Sequence, residues 1–200
     1  MNDALRIVLP VYLLTFFVIA FAWRSYLVWK RTGINPYVVG RSERPIDFVE
    51  NLYPIPTVVI AVITTVYAIA PGWYWIATPI VWLDLVYVKV AGLALMGAAL
   101  LWTATAQIHM GSSWRIGIDP ANKTELVGKG LFGISRNPVF VGMRSALWGF
   151  FLTLPSAFSL AAVVMADVLI QVQVRIEEEF LRGVHGEAYA GYRSRVRRWL

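Results

Sequence analysis

The sequence predicts an all-α integral membrane protein with about five transmembrane helices, folded as a single domain over residues 1–200. Three observations predict it. Hydrophobic residues make up 58% of the chain and the mean hydropathy is +0.61, where soluble domains hold about 45–50% apolar residues. Only 15% of residues are charged, against about 25% in an average soluble protein. The apolar residues also fall in long runs, and the Lys and Arg residues gather after alternate runs.

The first run, residues 5–29, matches the roughly 20 residues that cross a hydrocarbon core. It lacks the basic start of a secretory signal, exceeds the usual apolar region of about 7–15 residues, and is followed by Lys30, Arg31 and Thr32 rather than a small-residue cleavage site, so it reads as a retained span. Residues 30–51 are polar and interrupted by Gly33, Pro36, Gly40 and Pro45. A second span covers 55–70 and ends at the turn signal Pro71-Gly72. Trp73, Tyr74, Trp75 and Trp82 then mark a membrane–water interface. The third span, 81–108, carries Gly92, Gly97 and Ala98, small residues that permit close helix packing.

Residues 111–138 are too polar to span and too long for a tight turn. Loops longer than about 12–15 residues usually carry function or lack order. Spans at 139–154 and 156–174 follow as a hairpin turning at 153–156, and the charged stretch 175–200 forms a helical tail.

Charge sets the expected orientation. Lys30, Arg31, Arg41 and Arg44 follow the first span, Arg115, Lys123, Lys129 and Arg136 the third, and Arg175, Arg182, Arg193, Arg195, Arg197 and Arg198 the fifth. The opposite side holds only Arg6, and its turns near Pro71 and Pro155 hold no Lys or Arg. The positive-inside rule then places the N-terminus outside and the polar segments and C-terminus in the cytoplasm. The net charge of +6 belongs to this membrane-surface pattern, not to nucleic-acid binding. The chain has no Cys and only His109 and His185, which excludes disulfides and thiolate chemistry and argues against a structural zinc site; no metal is expected.

Within the polar loop, Gly128, Gly130 and Gly133 let backbone approach a ligand. Asn137-Pro138 starts the next helix, with the planar fork of Arg136 just before it. In the tail, Glu177-Glu178-Glu179 stands where the fifth span ends, and three carboxylates at an interface need cations. Glu178 and Arg182, four apart, are candidates for one such pair. His109 reads as a structural interfacial residue and His185 as packing. Asp84 and Lys89 lie near the aromatic belt. Arg144, inside the fourth span, should face protein or a watery pocket rather than lipid.

Gly111-Ser112-Ser113-Trp114, Leu126-Val127 with Gly130, Arg136-Asn137-Pro138-Val139-Phe140, and a tail of Glu177-Glu178, Leu181, Gly186, Tyr189, Tyr192 and Val196-Arg197 occur in this order. Jointly they resemble the isoprenylcysteine carboxyl methyltransferase family, related to the phospholipid N-methyltransferases. The resemblance covers roughly the C-terminal half. It implies transfer of a methyl group from S-adenosylmethionine to an amphipathic or lipid-linked acceptor from the bilayer, in a cytoplasmic pocket built from the 111–138 loop and the C-terminal helix. By position, the implied cofactor contacts are Thr124, Glu125, Leu126, Val127, Gly130, Phe132, Arg136, Asn137, Pro138, Val139 and Glu177. Arg136 then suits the cofactor's carboxylate, Glu177 its ammonium and Phe132 its adenine. Transfer from a sulfonium needs alignment and water exclusion more than an acid–base apparatus.

Three positions depart from the family pattern: Asn137 stands for the usual His, Phe140 for Tyr, and Gln173 for an arginine four residues before Glu177. The catalytic residue is therefore left open among Arg175, Arg144 and Gln173, and the acceptor among carboxylate, amine or other. Two alternatives stand beside this reading: an NADPH-dependent membrane sterol-type reductase, and a non-catalytic membrane protein with a degenerate pocket.

Overall fold

The computed structural model describes residues 2–37, 45–117 and 125–200. The expected contact Thr124, and the basic residues Arg41, Arg44 and Lys123, lie outside the described residues.

Helix α1 (Asn2–Phe17) runs through a π-helical turn (Val18–Trp23) into α2 (Arg24–Thr32), which ends on Gly33 at φ 70°. A short α3 (Pro45–Leu52) leads into α4 (Pro54–Ile69). Two 3₁₀ turns, Pro71–Ala77 and Val81–Leu83, connect it to α5 (Val86–Met110). The third span thus starts at Val86, not at residue 81. The residues before it form a separate 3₁₀ turn, Val81–Leu83, in the stretch that carries the exposed Trp73, Trp75 and Trp82. Helix α6 (Pro138–Thr153) follows the polar loop, and α7 (Ala157–Arg195) completes the set. The tail is helical as far as Arg195, in two helical pieces that meet at a kink at Gly186, where φ is 50° and ψ −122°.

The chain crosses between two ends. At one end, Arg6 Nε donates to the Ala68 carbonyl, the Ile80 N–H to Pro155 and the Ala157 N–H to Thr78. That gathers the start of α1, the α4–α5 connection and the α6–α7 turn. At the other end, the Ile116 N–H reaches the Pro36 carbonyl and the Arg136 N–H the Arg197 carbonyl. All three polar segments meet there, as the one-sided charge pattern requires. Among the described residues, four helical stretches are long and apolar enough to cross a membrane: Asp3–Thr32, Asp47–Ile69, Val86–Ser113 and Ala157–Arg195. Helix α6 joins the same two ends with only 16 residues, a rise of about 24 Å against a hydrocarbon core of about 30 Å. It packs chiefly on α5, and Arg136 and Asn137 at its start are held by protein groups.

Two apolar clusters hold the bundle. Leu5, Leu9, Ile60, Ile63, Tyr67, Met96, Phe150 and Leu154 pack near the turn end. Val28, Ala106, Trp114, Phe132 and Val139 pack beneath the polar loop. Ile7, Val11, Leu14, Val58, Val62, Ile69, Val90, Leu101 and Val168 stay exposed; on a membrane protein this is the surface that meets lipid.

Glycines decide how close α5 and α6 come. A Cβ on Gly142 would stand 2.1 Å from Thr103 Oγ1, and one on Gly149 would stand 2.8 Å from the Gly92 carbonyl oxygen. Gly92 therefore acts as expected from the sequence, whereas Gly97 has open space and Ala98 is exposed. Gly149→Val is expected to force the two backbones apart and to cost about 1–3 kcal/mol, the usual range for overpacking. Unfolding in a denaturing detergent measures it; an unchanged midpoint refutes the close-approach argument.

Candidate active site

The polar end is assembled from three segments distant in sequence. Its centre is Glu178 on α7, a residue only 5% exposed. Glu178 Oε1 accepts from Arg136 Nε at 3.2 Å, Asn137 Nδ2 at 3.0 Å and Arg198 Nε at 3.1 Å, and Oε2 accepts from Arg136 Nη2 and Arg198 Nη2 at 3.1 Å each. Arg136 Nη1 also donates to the carbonyls of Val196 at 2.8 Å and Arg193 at 3.3 Å. One carboxylate thereby ties the start of α6, the body of α7 and the C-terminal segment together. The pairing of Glu178 with Arg182 suggested by their spacing does not form; the arginines that hold Glu178 come from position 136, across the loop, and from position 198.

Further bonds close the loop onto the tail. The Tyr192 hydroxyl donates to the Phe132 carbonyl at 2.7 Å, and Ser135 Oγ to the Arg198 carbonyl at 3.2 Å. His109 Nδ1 accepts from the Leu131 N–H at 3.2 Å, so His109 braces the 130–133 turn from the end of α5. Gly130 is needed there: its φ is 61°, and a Cβ would lie 2.5 Å from His109 Nδ1. This structural use of His109 agrees with its reading from the sequence.

Glu177 faces elsewhere. Beyond the apolar stretch 157–174, successive residues of α7 point about 100° apart. The neighbour of Glu178 therefore turns toward α3. Gln173 Nε2 donates to Glu177 Oε1 at 2.9 Å and to Glu50 Oε1 at 3.1 Å. Gln173 Oε1 is buried without a hydrogen-bond partner. The Glu177 carboxyl is set among protein atoms; burial and the Glu50 charge push it up to about 7, against the lowering bond from Gln173. Glu178 contrasts with it. Burial raises its pKa, but the bonds from Arg198 and Asn137 and the charges of Arg136 and Arg198 hold it below its ordinary value.

The remaining sequence candidates separate into groups. Phe132, Asn137, Pro138 and Val139 are buried, Leu126 and Val127 half-buried, and Glu125 and Gly130 exposed. The Arg136 guanidinium, expected to reach for a cofactor carboxylate, has its nitrogens engaged by Glu178 and two tail carbonyls. Of the catalytic candidates, Gln173 is buried beside Glu177 and hydrogen-bonded to it. Arg175 is exposed and donates to the Gln171 carbonyl. Arg144 pairs with Asp167, Nε to Oδ1 at 2.5 Å, and its guanidinium stacks 4.5 Å from the Trp199 ring centroid. Arg144 thus faces protein, as an intramembrane arginine must. Asp84 pairs with Lys89, which is buried.

Sequence reasoning missed Glu178 and Arg198 as the hub, and also Glu50 and Asp167. Asp167 had a legible signal, an acid within an apolar run. Glu50 had none, because the chain segment that brings it to α7 is 123 residues away in sequence.

A family model described as phospholipid methyltransferase matches residues 87–188, just over half of the chain. The match takes in α5, the polar loop, α6 and α7 through both Glu177 and Glu178. No curated protein and no solved structure matches significantly.

Proposed function

We propose that this chain, which belongs to the phospholipid methyltransferase family, moves a methyl group from S-adenosylmethionine to an amphipathic, lipid-type acceptor at the polar end of its helical bundle. Family membership implies a membrane methyltransferase. The observation that carries it is the Gln173–Glu177 pair, where a carboxyl group and a buried amide oxygen without a partner among the described residues stand together. Such an acceptor-rich site fits a ligand that brings N–H donors and positive charge.

The cofactor, when bound, supplies an electrophilic methyl on a sulfonium; the C–S electron pair returns to sulfur, leaving a thioether. The chain's residues bind and shield. Glu177 and Gln173 would receive the ammonium end. Phe132, Val127 and Val139 would offer the apolar slot, and Leu126, Gly130, Asn137 and Pro138 backbone and amide groups around it; the family resemblance adds Glu125 and Thr124 as contacts. Arg136 serves this site by fastening the loop to α7. An apolar groove between α5 and α6, lined by Leu95, Trp102, Val141 and Leu200, suits the acceptor's hydrocarbon part. Gln173 stands where an arginine would bind an acceptor carboxylate, and its neighbours are Glu50 and Glu177. That environment favours an acceptor without a carboxylate at this point. The concentration of Lys and Arg at the polar end supports a cytoplasmic site.

Purified protein is expected to bind S-adenosylmethionine or its demethylated product in calorimetry, and not NADPH. Binding of NADPH alone moves the protein to the reductase class; binding of neither supports a degenerate pocket. Labelled S-adenosylmethionine offered to sealed inside-out vesicles should label their lipid, and right-side-out vesicles should stay unlabelled. The reverse pattern sinks the cytoplasmic assignment.

A further inference from the structure

We infer that Arg24, on the first membrane helix and outside the matched family region, binds the phosphate of a phospholipid acceptor at headgroup level. Arg24 is 8% exposed. Among the described residues no carboxylate lies within ion-pair distance of it. Its Nη2 donates to the Gly111 carbonyl, and its Nε is buried with no partner. Arg31, of like sign, lies two turns further along the same helix. A buried guanidinium with a free donor and no counter-ion is costly, and an incoming anion removes that cost.

The surroundings repeat the pattern. Trp114 packs against Val28, one turn from Arg24 on the same helix face. Its Nε1–H is a second buried donor without an acceptor. Two buried donors without acceptors, one bound next to Gly111 and one on Trp114, call for an acceptor-rich ligand. The helix is specialised at this point: the π-helical turn Val18–Trp23 ends immediately before Arg24. Such turns are frequent at functional sites. Within it, the Ala20 carbonyl accepts from Gln107 of α5 at 2.6 Å, fixing this face of the helix against α5.

Depth selects the source of the anion. Trp23, Tyr26 and Trp29 are exposed on the same helix and form a ladder with ring centroids 6.1 and 6.4 Å apart. Aromatic belts of this kind sit at the lipid headgroups. Arg24 lies within the belt's span, where lipid phosphates reside.

The inference rests on the proposed lipid acceptor, but its test needs neither cofactor nor turnover. Protein in a neutral maltoside detergent is titrated with dioctanoyl phosphatidic acid, with dioctanoylglycerol, with inorganic phosphate and, separately, with S-adenosylhomocysteine. Wild-type protein should bind the phosphatidic acid well above the glycerol analogue. Arg24→Gln should weaken the phosphatidic acid about 10- to 100-fold, the range of a lost charge-assisted hydrogen bond, and leave S-adenosylhomocysteine unchanged. Should Arg24→Gln fail to fold, Arg24→Lys carries the test: selective weakening of phosphatidic acid supports the site, and unaltered binding overturns it. Equal binding of the two lipids by wild type, a loss confined to S-adenosylhomocysteine, or inorganic phosphate binding as tightly as the lipid each overturns the assignment.

Discussion

Glu178→Ala is expected to lower the unfolding free energy by about 3–5 kcal/mol, the cost of stripping a buried ion of its partner. Glu179→Ala, one residue on and exposed, should change it by less than about 0.5 kcal/mol. The Arg136 and Glu178 side chains of the pair are only 8% and 6% exposed. Without the carboxylate, the Arg136 guanidinium keeps only the carbonyls of Val196 and Arg193, and Asn137 Nδ2 keeps only that of Arg198. The pH dependence has a definite sign. Because the folded protein holds Glu178 below its ordinary value, its stabilisation is present above the ordinary carboxylate range. It is lost as pH falls through the lowered folded value. Detergent-denaturation curves of wild type and Glu178→Ala should converge in acid. Parallel curves across pH, or a loss no larger than that of Glu179→Ala, contradict the hub.

Cofactor affinity is expected to rise about tenfold per pH unit as pH approaches 7 from below and then to level off. Glu177→Gln should be flat and weaker over the same range. The cause is the raised Glu177 carboxyl, about 7, set first by burial and then by the Glu50 charge, against the bond from Gln173. Only the ionised carboxylate attracts an ammonium or sulfonium, so protonation competes with binding. Stability alone should follow the opposite course. The folded state binds this proton more tightly than the unfolded chain, so the Glu177 contribution is full below the ordinary carboxylate value and fades as pH rises through 7. Calorimetry across pH, with thermal unfolding of the same samples, separates the two. A pH-independent wild-type affinity removes Glu177 from the site.

The same contrast shows what local sequence can carry. The apolar runs coincide with α1–α2, α4, α5, α6 and the first half of α7, because lipid leaves a chain no other way to satisfy its backbone, whereas the short α3 fell in a stretch read as interrupted. Misplaced boundaries, such as the start of α5, fell where aromatic residues lie at the interface and the chain turns without leaving it. The four-residue spacing of Glu178 and Arg182 suggested a local pair, yet a local pair exposed to water is worth only about 0.3–0.5 kcal/mol. A buried site with several donors outweighs it.

By itself, the sequence determined that this is a helical membrane protein with its polar segments at one end, and it carried the family motifs in their proper order. These properties are local or additive: hydropathy sums along a run, and charge sums along a loop. Only the tertiary structure decided that Glu178 meets Arg136 and Arg198, that Glu177 turns to Gln173 and Glu50, and that Arg24 has no carboxylate within ion-pair distance among the described residues. Adjacent glutamates differ by about 100° around a helix. The rotation of α7 is fixed by how Val163, Ala166, Leu169 and Ile170 bury against the other helices, a property of the packed bundle rather than of any one segment.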